Sequence, residues 1–170
     1  MNGCSNLRFF MQLLHDDPYI GKIELAECYA VAFLASCSTP EKDWTKVERW
    51  LEAEIYRTNK VVMSGFHSPF ERRVLQCLFE HNHPAILYLA RSLYKRMPHE
   101  YEEPLANGQL LILSYFEQHK RNSYRYADAR NAYLMKIADE VATIGVTPSS
   151  KISTMLDLYR QNCDKPYKEL

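Results

Sequence analysis

The sequence contains little glycine. Its 170 residues include 5 glycines, and none of the patterns G-x-S-x-G, G-x-x-x-x-G-K-[ST] or G-x-G-x-x-G occurs. The nucleophile elbow of α/β-hydrolases, the P-loop and the usual dinucleotide fingerprint are therefore absent. A Gly-rich phosphate-binding loop is not expected in this protein.

Charge of one sign, long apolar runs and paired cysteines are lacking as well. Lys+Arg and Asp+Glu both number 21, which argues against a generally basic surface but is compatible with a local basic patch. No apolar run approaches the ~20 residues of a membrane span, and residues 1–17 do not form a good signal peptide. The 5 cysteines are scattered without a C-x-x-C pair, which is typical of free thiols in a reducing compartment. We expect a cytoplasmic protein that does not cross a membrane.

Cys77, His81 and His83 have a spacing that loosely resembles a metal site. No second cluster supplies the remaining ligands of a tetrahedral zinc ion. We therefore expect no metal ion, and no motif in the sequence indicates a cofactor.

Short apolar runs alternate with segments of helical periodicity. Strands are predicted at 29–35, 60–65, 85–90, 109–114 and 141–146, with a further short edge strand within 165–170. Helices are predicted at 41–57, from Phe70 onward, from Pro98 to near Gly108, from about Asp128 to Asp139, and from Ile152 onward. Strands that alternate with helices form parallel βαβ units with right-handed crossovers. The predicted fold is α/β, a doubly wound, mainly parallel sheet of five or six strands, Rossmann-like and three-layered.

The length suits a single domain with a substantial core. We assign residues 29–170 to the Rossmann-like domain and residues 1–28 to an N-terminal helical extension. Within that extension, residues 5–15 are predicted to form an amphipathic helix, and Pro18 and Gly21 are predicted to lie in a loop.

Polar residues follow each predicted strand. Ligands of an open parallel sheet bind beyond the carboxyl ends of its strands. The residues at these ends are Ser36, Ser64, Gly65, His67, Arg91, Ser114, Thr147 and Ser149, and the loop after the fourth strand adds Lys120, Arg121 and Arg125. Hydroxyls and cations on one edge suit an anionic ligand such as a nucleotide or a phosphate backbone, although loops of any function are also polar.

The turn "SGFHSPFE" at 64–71 combines several residue types that occur in active sites. Ser68 stands at the N-cap position of the next helix, Pro69 at its first position and Glu71 three residues after Ser68. This spacing predicts a capping box, which would occupy Ser68 and Glu71 with the free amides of the helix. Gly65 and His67 have no such local role.

Four segments follow one another in a characteristic order: "VAFLAS", "VVMSGFHSPFE", "AILYLARSLYKRMPHEYEEPLANGQLLILSYF" and "RNAYLMKIADEVATIG". Over about residues 29–167 they resemble the Rossmann-like domain of the DNA-processing protein A family (DprA, or Smf), which shares a wider superfamily with the LOG-type phosphoribohydrolases. Ser64 and Gly65 match the Ser-Gly turn of that family, and Arg130 and Asn131 match its Arg-Asn pair at a helix start.

The chain also departs from these families. The DprA turn is usually Gly-rich, as in "SGLARGID", and a Ser-Gly-Ser segment follows the fifth strand, where LOG enzymes have Pro-Gly-Gly-x-Gly-Thr. This chain has "SGFHSPFE" and "TPSSK" at these places. The catalytic pattern of the LOG enzymes is therefore not met.

The resemblance implies a module that binds a nucleotide or single-stranded DNA, without catalysis. The expected ligand contacts are Ser36, Ser64, Gly65, His67, Arg91, Ser114, Arg130, Asn131, Thr147 and Ser149, with Phe66, Tyr115, Tyr124 and Tyr126 as candidates for base stacking. The alternative is an enzyme that cleaves the N-glycosidic bond of a nucleotide with Glu71 as its acid or base. A third alternative is a non-catalytic partner or sensor subunit that forms a homodimer.

Overall fold

The computed structural model describes residues 18–114, 116, 123–162 and 164–170. In this part of the chain, seven strands form one sheet: β1 (Tyr19–Gly21), β2 (Tyr29–Ala35), β3 (Lys60–Ser64), β4 (Ala85–Leu89), β5 (Leu110–Ser114), β6 (Glu140–Ile144) and β7 (Tyr167–Glu169). Their order is β1-β5-β4-β3-β2-β6-β7. All neighbouring pairs are parallel except β1 with β5. The doubly wound, mainly parallel sheet and the edge strand near the C-terminus are confirmed.

A short strand, β1, stands where the sequence predicts a loop around Pro18 and Gly21. Tyr19–Gly21 pairs in antiparallel register with Leu111–Leu113. Three residues are too few to show a hydrophobic period, so this strand is recognised only by its pairing with β5. The sheet thus begins within the predicted extension 1–28. The helix predicted at 5–15 lies outside the described residues, and the boundary at residue 29 stays a prediction.

Helices cover both faces of the sheet. Their bounds are α1 (Trp44–Ile55), α2 (Pro69–Glu80), α3 (His99–Ala106), α4 (Tyr124–Ile137) and α5 (Lys151–Asn162). The core on one face contains residues of α1, α2 and α3, and the core on the other contains residues of α4 and α5. The strand β2 contributes to both, with Phe33 on the first side, where it stacks on Trp50 at 5.0 Å, and Leu34 on the second. Burial on both sides explains why its sequence is continuously apolar.

The helix α4 begins earlier than the sequence predicts. Asp128 was expected near its start, but the helix begins at Tyr124, and the hydroxyl of Ser123 accepts a hydrogen bond from the Tyr126 amide at 3.2 Å. Its first turn contributes no residue to either core, so no apolar period reveals it in the sequence. The added turn places Tyr124 on the same helix as Asp128 and Arg130.

The path of the chain reverses beside β2. From β2 the strands β3, β4 and β5 follow in one direction, and α4 then crosses back to β6 on the other side of β2. This is a topological switch point, and the crevice beyond the carboxyl ends of such strands is where doubly wound folds hold their ligands.

In the part of the chain that the structure describes, no helix is both long enough and apolar enough to traverse a bilayer.

Candidate functional site

A cleft of about 570 Å³ opens at the switch point. Its walls come from the carboxyl ends of β2 and β3 and from the first turns of α2, α4 and α5. The lining residues are Ala35, Ser36, Cys37, His67, Ser68, Glu71, Ser123, Tyr124, Ala127, Asp128, Arg130, Asn131, Ser150, Lys151 and Ile152. Its volume falls in the range of small-ligand sites, and its position is the one that the fold rule predicts.

Arg130 is a nearly buried cation in this cleft, with 3% of its surface exposed. Its Nε and Nη2 atoms donate to the side-chain oxygen of Asn131 at 3.1 and 2.9 Å. Its Nη1 atom is buried and has no hydrogen-bond partner. Burial lowers the pKa of Arg130, while the carboxylates of Glu71 and Asp128 act in the opposite direction. A desolvated guanidinium with a free donor is poised to bind an anion.

Gly65 makes room for this guanidinium. A Cβ atom placed on Gly65 would lie 1.9 Å from Arg130 Cζ and 2.0 Å from Nη1. Any other residue at this position would therefore displace Arg130. The glycine is therefore needed for the close approach of the Arg130 side chain.

Ser64 is fully buried beneath the cleft. Its hydroxyl accepts a hydrogen bond from the Phe66 amide at 3.2 Å, and Phe66 has a φ of 46°. This left-handed conformation is unusual for a bulky residue. Ser64 thus stabilises a strained turn, and neither it nor Gly65 lines the cleft.

The capping box of α2 is confirmed. The Ser68 hydroxyl accepts from the Glu71 amide at 3.2 Å, and Glu71 Oε2 accepts from the Ser68 amide at 3.1 Å. The same carboxylate also accepts from the amides of His67 at 2.8 Å and of Ala35 at 3.1 Å. Glu71 is 4% exposed. Its side chain links the end of β2, at Ala35, to the turn that follows β3.

His67 lines the cleft and remains accessible to solvent. Desolvation by the surrounding protein, followed by the charges of Arg130 and Arg72, lowers the pKa of His67 to about 4. Its imidazole is therefore neutral at physiological pH and can donate or accept a hydrogen bond there.

Two further walls of the cleft begin at Ser123 and Ser150, which are not among the predicted ligand contacts. Ser123 caps α4, and the Ser150 hydroxyl accepts from the Ser153 amide at 3.1 Å at the start of α5. Between these helices, Lys151 Nζ donates to Asp128 Oδ2 at 2.5 Å. The serine positions could have been read as N-caps, but their convergence on one cleft depends on the crossovers.

Several predicted contacts lie elsewhere. Ser36 and Asn131 line the cleft, but Arg91, Ser114, Thr147 and Ser149 do not. The Ser114 hydroxyl donates to the Arg91 carbonyl at 2.6 Å, and the Arg91 guanidinium lies 5.7 Å from the Tyr94 ring centroid. Thr147 and Ser149 are exposed. Lys120 and Arg121 lie outside the described residues. Ligand contact by these residues stays a prediction.

The four candidate stacking residues differ in availability. Phe66 is 4% exposed and belongs to the core, so its ring is not free for a base. Tyr126 packs against Phe116 with 4.8 Å between ring centroids. Tyr115 lies outside the described residues. Tyr124 lines the cleft and is 88% exposed.

The described residues contain no group of three or more His, Cys, Asp or Glu side chains that could hold a metal ion. In the segment with metal-like spacing, His81 Nδ1 pairs with the Cys77 carbonyl at 2.8 Å, and His83 Nδ1 with the Pro84 carbonyl at 3.0 Å.

The fold and the cleft define a Rossmann-like domain with a switch-point site. Its fold is that of DNA-processing protein A. The chain is similar to the X-ray structure of this protein from Streptococcus pneumoniae, with a TM-score of 0.61, 14% identity, and coverage of 88% of this chain and 61% of that chain. It is also similar to the Helicobacter pylori protein, which binds single-stranded DNA in a mode described as unique, with a TM-score of 0.70, 17% identity, and coverage of 89% and 69%.

The chain thus spans less than two thirds of the length of the Streptococcus protein. No protein-family profile matches the sequence, and no curated protein does. The structural likeness establishes the fold, and the function has to be argued from the site.

Proposed function

We propose that the switch-point cleft binds the phosphate of a nucleotide unit, either as a free nucleotide or within single-stranded DNA, and does not convert it chemically. The observation that carries the proposal is Arg130, a nearly buried guanidinium that lines a cleft of ligand size and whose Nη1 atom has no hydrogen-bond partner. A buried donor without a partner costs free energy, which a bound anion would recover.

The setting of Arg130 supports an anionic ligand. The N-termini of α2, α4 and α5 border the cleft, and each carries partial positive charge. At α2 this charge is already used by the Glu71 carboxylate. The N-termini of α4 and α5 remain for a ligand, together with the neutral imidazole of His67.

The structural neighbours point in the same direction. The Helicobacter pylori protein binds single-stranded DNA, and its fold is the one that this chain shares. Tyr124, exposed at the rim of the cleft, offers a face on which a base could stack.

The alternative with Glu71 as a catalytic acid or base has less support. Proton transfer requires a carboxylate that reaches the substrate. Glu71 is 4% exposed and accepts hydrogen bonds from the amides of Ala35, His67 and Ser68. These contacts indicate that the Glu71 carboxylate stabilises the turn.

Fluorescence anisotropy of a labelled single-stranded oligonucleotide tests the proposal. The logarithm of the binding constant should fall linearly with the logarithm of the salt concentration. Arg130→Met keeps the side-chain volume and removes the charge, so we expect it to weaken binding by about ten- to hundredfold. Arg49→Met, an exposed arginine on the opposite face of the sheet, is the charge-matched control and should bind like the wild type.

The variant Arg91→Ala tests whether the ligand binds in the cleft or along the whole edge of the sheet. Because Arg91 lies outside the cleft lining, this variant should retain its affinity if the ligand sits in the cleft. The absence of binding by the wild type at low salt, to oligonucleotides and in a thermal-shift screen of mononucleotides, would contradict the proposal, as would full affinity in Arg130→Met.

Location and self-association belong to the same proposal. The described free thiols of Cys28, Cys37 and Cys77 suit a cytoplasmic protein. We also propose a homodimer. Light scattering of the purified chain checks it, since a single monomer mass at all concentrations would reject it.

A further inference from the structure

The charged side chains of the cleft are balanced but not equivalent. Arg130 and Lys151 are its cations, and Glu71 and Asp128 are its carboxylates. The Glu71 carboxylate is committed to backbone amides. Asp128 instead pairs with Lys151, and its charge also acts on Arg130. Asp128 thus acts on both cations, whereas Glu71, whose effect on Arg130 is the larger, has no ion pair with Lys151 among the described contacts.

The Asp128–Lys151 pair is open to solvent. The Lys151 side chain is 67% exposed and the Asp128 side chain 32% exposed. Ion pairs of this kind contribute little to stability because water screens them and ordering long side chains costs entropy. A ligand phosphate in the cleft can therefore compete for the Lys151 ammonium.

The backbone around Lys151 also favours the binding of a phosphate in place of Asp128. Lys151 is the first residue of α5, a helix of 12 residues whose N-cap is Ser150. The partial positive charge of this N-terminus attracts anions. Arg130 lines the same cleft, so two cations and a helix N-terminus border one space.

We propose that Lys151 is a second phosphate-binding residue of the cleft and that Asp128 competes with the ligand for it. Binding replaces the Asp128–Lys151 ion pair with a phosphate–Lys151 pair, and Asp128 thereby limits the affinity of the site. This inference rests on the proposed function, because it concerns the same phosphate-bearing ligand.

Isothermal titration of the full chain with thymidine 5′-monophosphate tests the competition. Asp128→Asn should bind about two- to fivefold more tightly, the range that corresponds to the loss of an exposed ion pair. Lys151→Gln should bind more weakly than the wild type. In the double variant the gain from Asp128→Asn should disappear, because the two positions act through one interaction.

Asp157→Asn is the matched control. Asp157 is exposed on α5, the helix that begins with Lys151, and lies outside the cleft lining. Its substitution changes the net charge by the same amount as Asp128→Asn. If this variant gained as much affinity as Asp128→Asn, the gain would come from the change in net charge rather than from the Asp128–Lys151 pair, and the proposal would be overturned. Melting temperatures of all variants verify that each is folded.

The failures of the two proposals are distinguishable. If the wild type binds, Arg130→Met loses affinity and Asp128→Asn shows no gain, the competition is refuted and the proposed function stands. A gain from Asp128→Asn that persists in the double variant also refutes the role of Lys151. If neither the wild type nor any variant binds the nucleotide, both proposals fall.

Discussion

Removal of the Glu71 carboxylate is the sharpest test of how the turn after β3 is held. Three backbone amides, of Ala35, His67 and Ser68, donate to this one side chain. In Glu71→Ala all three lose their acceptor. In Glu71→Gln one oxygen remains, but the new amide group faces backbone donors.

The size of the effect follows from these contacts. A hydrogen bond to a charged group contributes about 1.5–3 kcal/mol, so three would sum to roughly 4.5–9 kcal/mol if they were independent. They share one carboxylate, and water can reach the vacated amides because Glu71 lines the cleft. We therefore expect a loss of about 3–5 kcal/mol for Glu71→Ala and of about 1.5–3 kcal/mol for Glu71→Gln.

Urea denaturation of the full chain measures these losses. The free energy of unfolding should fall while its dependence on urea stays constant. Glu52→Ala removes an exposed carboxylate from α1 and should change stability by less than about 0.5 kcal/mol. A cost below about 1 kcal/mol for Glu71→Ala would refute the view that this carboxylate holds the turn.

A second measurement separates the anion from the side chain. In Glu71→Ala, formate can occupy the amides that the carboxylate leaves, and at ten times its dissociation constant it would restore about 1.4 kcal/mol by mass action. The wild type should gain less, because its amides are filled. Equal stabilisation of both proteins would show that the formate acts elsewhere.

Three other predictions concern the residues around this turn. Gly65→Ala should weaken nucleotide binding as much as Arg130→Met, because its Cβ would lie 1.9 Å from Arg130 Cζ, and a titration that shows unchanged affinity would contradict this. The folded-state pKa of His67, about 4, lies below the ordinary value of 6.5, so stability should decline as the pH falls from about 6.5 through 4, and His67→Asn should reduce this decline in melting scans, with NMR titration of the ring confirming the midpoint. Phe66→Leu should cost about 1 kcal/mol of stability and leave affinity unchanged, because the ring is in the core; reduced affinity at equal stability would instead indicate a direct contact.

The elements of the fold were largely predictable because their signals are local. The continuous apolar run of β2 reflects burial on both faces, and the periodicity of α1 reflects one buried face. Both patterns depend on residues that are close in the chain. The strand β1 and the first turn of α4 escaped prediction because the first is too short and the second packs too little to impose a period.

The sequence predicted the candidate site in outline, and the cleft is lined by some of the predicted contacts and not by others. The rule for parallel sheets places a ligand at the carboxyl ends of the strands, and Ser36, His67, Arg130 and Asn131 do line one cleft there. The rule does not say which ends share a cleft. Arg91 follows β4, one strand beyond the β2–β3 pair, and therefore lies outside it.

The sequence by itself determined the capping box at Ser68 and Glu71, since the two residues that form it are three positions apart and meet in any helix that begins there. Only the tertiary structure decided what else that carboxylate holds, because the Ala35 amide lies 36 positions away and arrives through the pairing of β2 with β3. The same is true of Gly65 beneath Arg130 and of Asp128 beside Lys151. Local hydrogen bonds and periodicity are properties of neighbouring residues, whereas these contacts depend on which way each crossover turns and where each helix packs.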